Sequence, residues 1–231
     1  MERFFGIFGI IFIFLIAFLM SNNRKAINYK TIITGFVLQI LLAVFIFKVP
    51  LGQMIFLKTG LFITKILEFA KTGGEFVFGP LMGNGGVMEN VFGTGSHVFA
   101  LQLICSLIFM MILVNILYYY GIMQRVVPVI GKAMNKLMSV SGAEALSNVA
   151  SAFVGQIAAQ IMIRPYLAKL TRSELLASMT GSMACISAAT MPIYIGLGVP
   201  AEYLLAASVM AAPGALVLSK IVYPETGNPE T

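Results

Sequence analysis

The chain has 231 residues, of which 59% are hydrophobic and 10% charged, with a net charge of +6. A soluble domain carries roughly 25% charged residues, so this composition indicates an integral membrane protein. One His and no Asp exclude a Ser-His-Asp triad, and the nine Glu lie outside the uncharged runs or at their ends, which argues against a carboxylate proton relay at depth.

Runs able to cross about 30 Å of hydrocarbon need about 20 helical residues. The first is Phe4 to Met20. Its basic flank (Arg24, Lys25, Lys30) follows the run, and it lacks a small-x-small cleavage site, so we expect a retained span and not a signal peptide. The second is Thr31 to Phe47, and the positive-inside rule places the loop between the two in the cytoplasm. Residues 51–96 then lie outside. Within them, Gln53 to Ala70 has apolar residues at helical spacing around Lys58, Lys65 and Glu68, as expected of a helix along the membrane surface. Gly83-Asn84-Gly85-Gly86 lacks the spacing of a dinucleotide fingerprint and reads as a loop. The third span, Val98 to Ile122, returns to a cytoplasmic segment, Met123 to Met138, amphipathic with Arg125, Lys132 and Lys136 on its polar side.

Ala145 to Ile163 carries no charge and is long enough to enter a bilayer, yet Asn148, Ser151 and Gln156 lie inside it, with Gly155 just before the glutamine. Lipid offers amides no partners, and each unsatisfied group costs several kcal/mol. A plain sixth span would also strand Arg164, Lys169 and Arg172 outside. We therefore expect a broken helix pair that enters and leaves on the cytoplasmic side, as at the solute sites of secondary transporters. Ser141 with Glu144, and Thr171 with Glu174, fit capping-box spacing and mark two helix starts, while Arg164-Pro165 ends the outbound arm. Leu175 to Val199 and Tyr203 to Ser219 complete the spans. In the last, Ala207, Ala211 and Ala215 form a small-residue stripe for close helix approach. Cys105 and Cys185 sit in apolar runs as buried thiols, with neither a zinc site nor a disulfide framework indicated. No enzyme signature emerges.

The expected fold is all-α: about five transmembrane helices, one re-entrant helical hairpin and two interfacial amphipathic helices. We expect residues 1–122 to form scaffold-type spans. Residues 123–200 should form the interfacial helix, hairpin and following span, and residues 201–231 the last span and tail.

Several motifs in order resemble the N-terminal half of concentrative nucleoside transporters. They are Ser21-Asn22-Asn23-Arg24-Lys25, Leu117-Tyr118-Tyr119-Tyr120-Gly121, Phe153-Val154-Gly155-Gln156 with Ile163-Arg164-Pro165-Tyr166, and Met210-Ala211-Ala212-Pro213-Gly214 with Pro224-Glu225-Thr226. The resemblance implies sodium-driven nucleoside uptake across the bacterial cytoplasmic membrane, with a mobile domain working against a trimeric scaffold. It matches Gln156 to a nucleobase-contacting glutamine, and Val154 and Ile186 to positions whose backbone carbonyls coordinate sodium. No enzyme cofactor is implied. Members usually follow the glutamine with a hydroxyl residue, a glutamate, a small residue and proline, where this chain has Ile157, Ala158, Ala159 and Gln160. Ser151 stands where asparagine is usual, and Cys185 where serine is usual; a thiol is a poor ligand for a hard cation. The resemblance ends before a second hairpin, so the expectation is a half-module completed by another chain. The alternative is a membrane interaction protein of the same fold without transport.

Overall fold

The computed structural model describes residues 2–82, 98–188, 190–227 and 229. The glycine-rich stretch at 83–86 and His97 lie outside the described residues. Ten α-helices of six or more residues are described: α1 (Glu2–Leu19), α2 (Tyr29–Phe47), α3 (Pro50–Phe78), α4 (Phe99–Tyr119), α5 (Ile122–Met138), α6 (Gly142–Phe153), α7 (Gln156–Ile163), α8 (Arg172–Ala184), α9 (Met191–Gly196) and α10 (Ala201–Val222). Three are long and apolar enough to cross a membrane by length and composition: α2, α4 and α10. The apolar part of α1, Phe8–Leu19, is shorter.

Both helix starts read from the sequence form complete capping boxes. Ser141 Oγ accepts from the Glu144 N–H (3.4 Å) and Glu144 Oε1 accepts from the Ser141 N–H (2.7 Å); Thr171 and Glu174 repeat the exchange at 3.1 and 2.7 Å. The helical outbound arm stops at Ile163, where Arg164–Lys169 tightens into a 3-10 turn around Pro165.

Three elements differ from the sequence expectation. The amphipathic stretch after α2 is one 29-residue helix, because Gly52, Gly60, Gly73 and Gly74 stay helical and at three of them α3 is buried against neighbours. The expected span from Leu175 to Val199 is not continuous. It breaks after Ala184, where Cys185 turns to an extended conformation (φ −88°, ψ 142°), and resumes as the short α9 with Pro192 in its first turn. The alanine stripe also fails as the seam of α10, since Ala207 is exposed while Ala215 is buried. Close approach is instead made by glycines. A Cβ on Gly60 of α3 would lie 2.9 Å from the Glu202 amide nitrogen, and one on Gly35 of α2 would collide with Val217 and Met138.

Helix α10 is the hub, packing against α2, α3, α6 and α8. Its core partners, Leu216, Val217 and Ile221, share one buried cluster with Val127, Met134 and Met138 of α5 and Val149 and Ala150 of α6. That cluster fixes the hairpin α6–α7 beside α8, and so determines where the two helix breaks meet.

Candidate functional site

The first break lies at Val154–Gly155. Val154 caps α6, its N–H donating to the Ala150 carbonyl at 2.8 Å, and Gly155 takes φ +105° and ψ 164° before α7 begins. That conformation is close to exclusive to glycine. A Cβ there would also sit 3.1 Å from Ser187 Cβ, so the absent side chain lets the first break lie against the second.

A cavity of about 490 Å³ opens at this point. Gln156 and Ile157 face it from α7, Asn115 and Tyr118 from α4, and Ser187 and Thr190 from the second break. Gln156 is exposed, as the first residue of α7. Asn115 donates from Nδ2 to the Met111 carbonyl (2.9 Å), which leaves its side-chain oxygen for the cavity. Ser187 and Thr190 hydroxyls lie 3.2 Å apart. Sequence reasoning placed this pair inside a plain span and missed it. Pro192 just beyond was the available signal of a broken helix.

The other polar residues of the hairpin do something else. Asn148 and Ser151 are fully buried, and neither lines the cavity. Although they lie in the segment expected to line a solute site, α8 covers them. Asn148 Nδ2 donates to the carbonyls of Glu144 (2.8 Å) and Ala177 (3.2 Å). Its Oδ1 finds no hydrogen-bond donor among the described residues. Ser147 and Ser178 hydroxyls are 2.6 Å apart, and Ser151 and Ser182 hydroxyls 3.1 Å. Gln160 of α7 joins the seam, donating to Ser178 and Ser182 at 2.8 Å each and accepting from Ser178 at 3.1 Å. Position 160, where the sequence reading noted a departure from proline, holds the residue that links α7 to α8.

The two breaks are bridged by α10. Buried Ser208 reaches both breaks, its hydroxyl 3.0 Å from the Ile186 carbonyl and 3.3 Å from that of Ala152, two residues before Val154. Cys185 and Cys105 are half-buried and form no disulfide, and Cys185 Sγ lies 3.9 Å from the Ser208 carbonyl. Nothing in the sequence singled out Ser208, because only the fold brings α10 to the breaks.

At the start of the hairpin, buried Lys220 of α10 holds its Nζ 2.8 Å from Glu144 Oε2, 3.0 Å from Ser173 Oγ and 3.4 Å from Glu225 Oε2. Thr171 donates to the same Glu225 oxygen at 2.8 Å. One ammonium thus ties the N-terminal turns of α6 and α8 to the end of α10. Charge-assisted bonds are roughly twice as strong as neutral ones, so this is the firmest polar junction around the site.

Known proteins match the chain in the same places. Residues 8–81 fit the sequence family described as Na+ dependent nucleoside transporter N-terminus, and residues 100–201 fit the one described as nucleoside recognition. A structure of CNTnw in an inward-facing substrate-bound state superposes with a TM-score of 0.91 at 38% identity, covering 96% of this chain and 53% of that one. Over nearly its whole length the chain is similar to the N-terminal half of concentrative nucleoside transporters. Its curated relatives include an uncharacterized transporter of Haemophilus influenzae (38% identical, 96% of this chain and 51% of the relative). They also include nucleoside permease NupC of Helicobacter pylori (37%, 96% and 52%) and sodium/nucleoside cotransporter 1 of Mus musculus (36%, 97% and 33%). The chain spans about half the length of the first of these relatives, and corresponds to the family's N-terminal half. These relatives are transporters and permeases and not enzymes, which fits a multi-pass protein of the cytoplasmic membrane.

Proposed function

We propose that this chain supplies the nucleobase-facing half of a sodium-coupled nucleoside transporter and acts with a second half carried on another segment or chain. One observation carries the reading. The break at Gly155 presents Gln156, the only hairpin amide open to the cavity among the described residues, beside hydroxyls from a second break. An amide offers a donor and an acceptor together, which matches the paired edge of a purine or pyrimidine. Carbonyls at Val154 and Ile186 supply the oxygen ligands that a hard cation prefers, with Ser208 fixing the two breaks relative to each other.

In this reading α6 and α7 form a re-entrant hairpin, entering and leaving on the cytoplasmic side. Helices α3 and α5 lie along opposite membrane surfaces, and α1 crosses as a fourth span before α8–α9 as a broken fifth. Residues 1–122 serve as scaffold, 123–200 as the moving part and 201–231 as the last span and tail. The scaffold assembles as a trimer. Sodium-driven uridine uptake tests this: proteoliposomes holding the chain together with a second-half chain should accumulate uridine only under an inward sodium gradient. No uptake and no uridine binding with any second half would end the proposal.

A second reading keeps the fold without transport, as a membrane interaction protein. Its support is Ile157 and Ile161, 74% and 63% exposed beside Gln156. Co-purification with a full-length relative, in the absence of uptake, would favour it.

A further inference from the structure

Away from the cavity at the breaks, a second cavity of about 310 Å³ lies between α5, the first turn of α6 and the 3-10 turn that follows the hairpin. Its walls are mixed in a specific way. Pro128, Gly131 and Leu146 make an apolar floor, while Lys132, Asn135 and Tyr166 stand around it. Among the described residues, no acidic side chain lines it. Asn135 donates from Nδ2 to the Val140 carbonyl at 2.7 Å, so its side-chain oxygen remains to accept a bond.

Helix α5 explains what could reach this cavity. It buries Val127, Gly131, Met134 and Met138 on one side, a repeat of three to four residues that seats it on the hairpin. Its outward residues include bare apolar groups (Val129, 66% exposed; Leu137, 53%) and the exposed cations Arg125, Lys132 and Lys136, with no carboxylate on the helix. A surface exposing both kinds suits neither water nor hydrocarbon alone. It suits the boundary between headgroups and acyl chains. Basic clefts on the cytoplasmic side of membrane helices attract anionic headgroups, each nearby cation contributing about 1 kcal/mol.

We infer that the cleft between α5 and the start of α6 is a binding site for one anionic phospholipid of the cytoplasmic leaflet. Lys132 pairs with the phosphate, Asn135 and Tyr166 meet the polar headgroup, and the glycerol end of an acyl chain rests on Pro128, Gly131 and Leu146. A lipid seated there touches both arms of the hairpin's base, through Ala143 and Leu146 on α6 and Tyr166 after α7. The occupant would therefore brace the element that carries Gln156. This inference rests on the cytoplasmic placement of α5 and the hairpin base in the transport reading, and not on transport itself.

The test uses the whole chain in nanodiscs of phosphatidylcholine with and without phosphatidylglycerol, followed by native mass spectrometry of the released protein. The wild-type chain should retain one phosphatidylglycerol in preference to phosphatidylcholine. Lys132→Ala should lower that retention about fivefold, the equivalent of one surface charge, and Lys132→Glu by more. Lys58→Ala, on α3 and away from the cleft, should leave it unchanged, as should competition by millimolar glycerol phosphate, which lacks the acyl chains. Three results would overturn the site: no preference in the wild-type chain, equal loss from Lys132→Ala and Lys58→Ala, or displacement by glycerol phosphate at the same concentration as by lipid. Lys132 is exposed, so unchanged melting of the variants in phosphatidylcholine excludes misfolding as the cause.

Discussion

The buried seam of the hairpin and its break carry similar polar residues and use them in opposite ways. On α6, Ser147, Asn148 and Ser151 are buried against α8 and spend their hydrogen bonds there. On α7, Gln156 is left open to a cavity, while Gln160, one turn further, turns back into the seam. The difference follows from the neighbour and not from the residue type. Helix α8 offers Ser178 and Ser182 at a spacing of four, so every hydroxyl on the facing stripe of α6 finds one. Gln156 sits at the break, where none of the described helices covers it. Polar groups in the inner arm should therefore govern stability, and those at the break should govern recognition.

The comparison can be broken most forcefully at the base of the inner arm. Lys220→Met leaves the buried Glu144 carboxylate without its ammonium, and removing one partner of a buried pair costs about 3–5 kcal/mol. Thermal unfolding in detergent should show the largest loss of any variant here; a change under 1 kcal/mol would mean that water already solvates Glu144. Next comes Gly181→Ala on α8, whose new methyl would collide with the Asn148 side chain. Overpacking of this kind costs about 1–3 kcal/mol. Ser147→Ala, which strips one hydroxyl from the seam, should cost about 1 kcal/mol in the same assay. At the break the pattern reverses. Gln156→Ala should change stability by less than about 0.5 kcal/mol, as expected of an exposed side chain, yet abolish measurable uridine binding by the completed transporter. Restoring the usual chemistry with Ile157→Thr and Ala158→Glu should strengthen binding, read by calorimetry on the same complex. No change would mean that the cavity's shape, and not its missing charge, limits affinity.

What the sequence made legible were features with local causes. Ser141–Glu144 and Thr171–Glu174 announce helix starts by a fixed three-residue spacing, and both capping boxes are formed. A glycine followed by an amide in an uncharged run announces a break, and the chain breaks there. Less legible was anything settled by a distant neighbour. Asn148 and Ser151 looked like site residues because their partners on α8 lie about 30 positions away. The second break hid inside an apolar run whose small residues suit a helix as well as a turn. Ser208 gave no local sign at all. Likewise the alanines of α10 seemed a packing seam, whereas the close approaches come from glycines, Gly214 on α10 itself and Gly35 and Gly60 on the helices that cross it.

A re-entrant site at Gln156 requires both ends of the hairpin to lie on the cytoplasmic side. Single cysteines placed at Lys136, before α6, and at Lys169, after α7, in a chain with Cys105 and Cys185 changed to serine, report that position directly. A membrane-impermeant maleimide should label both in inside-out vesicles and neither in right-side-out vesicles. Labelling of the two from opposite sides would make α6 and α7 a crossing helix, and Gln156 would then line no re-entrant bend.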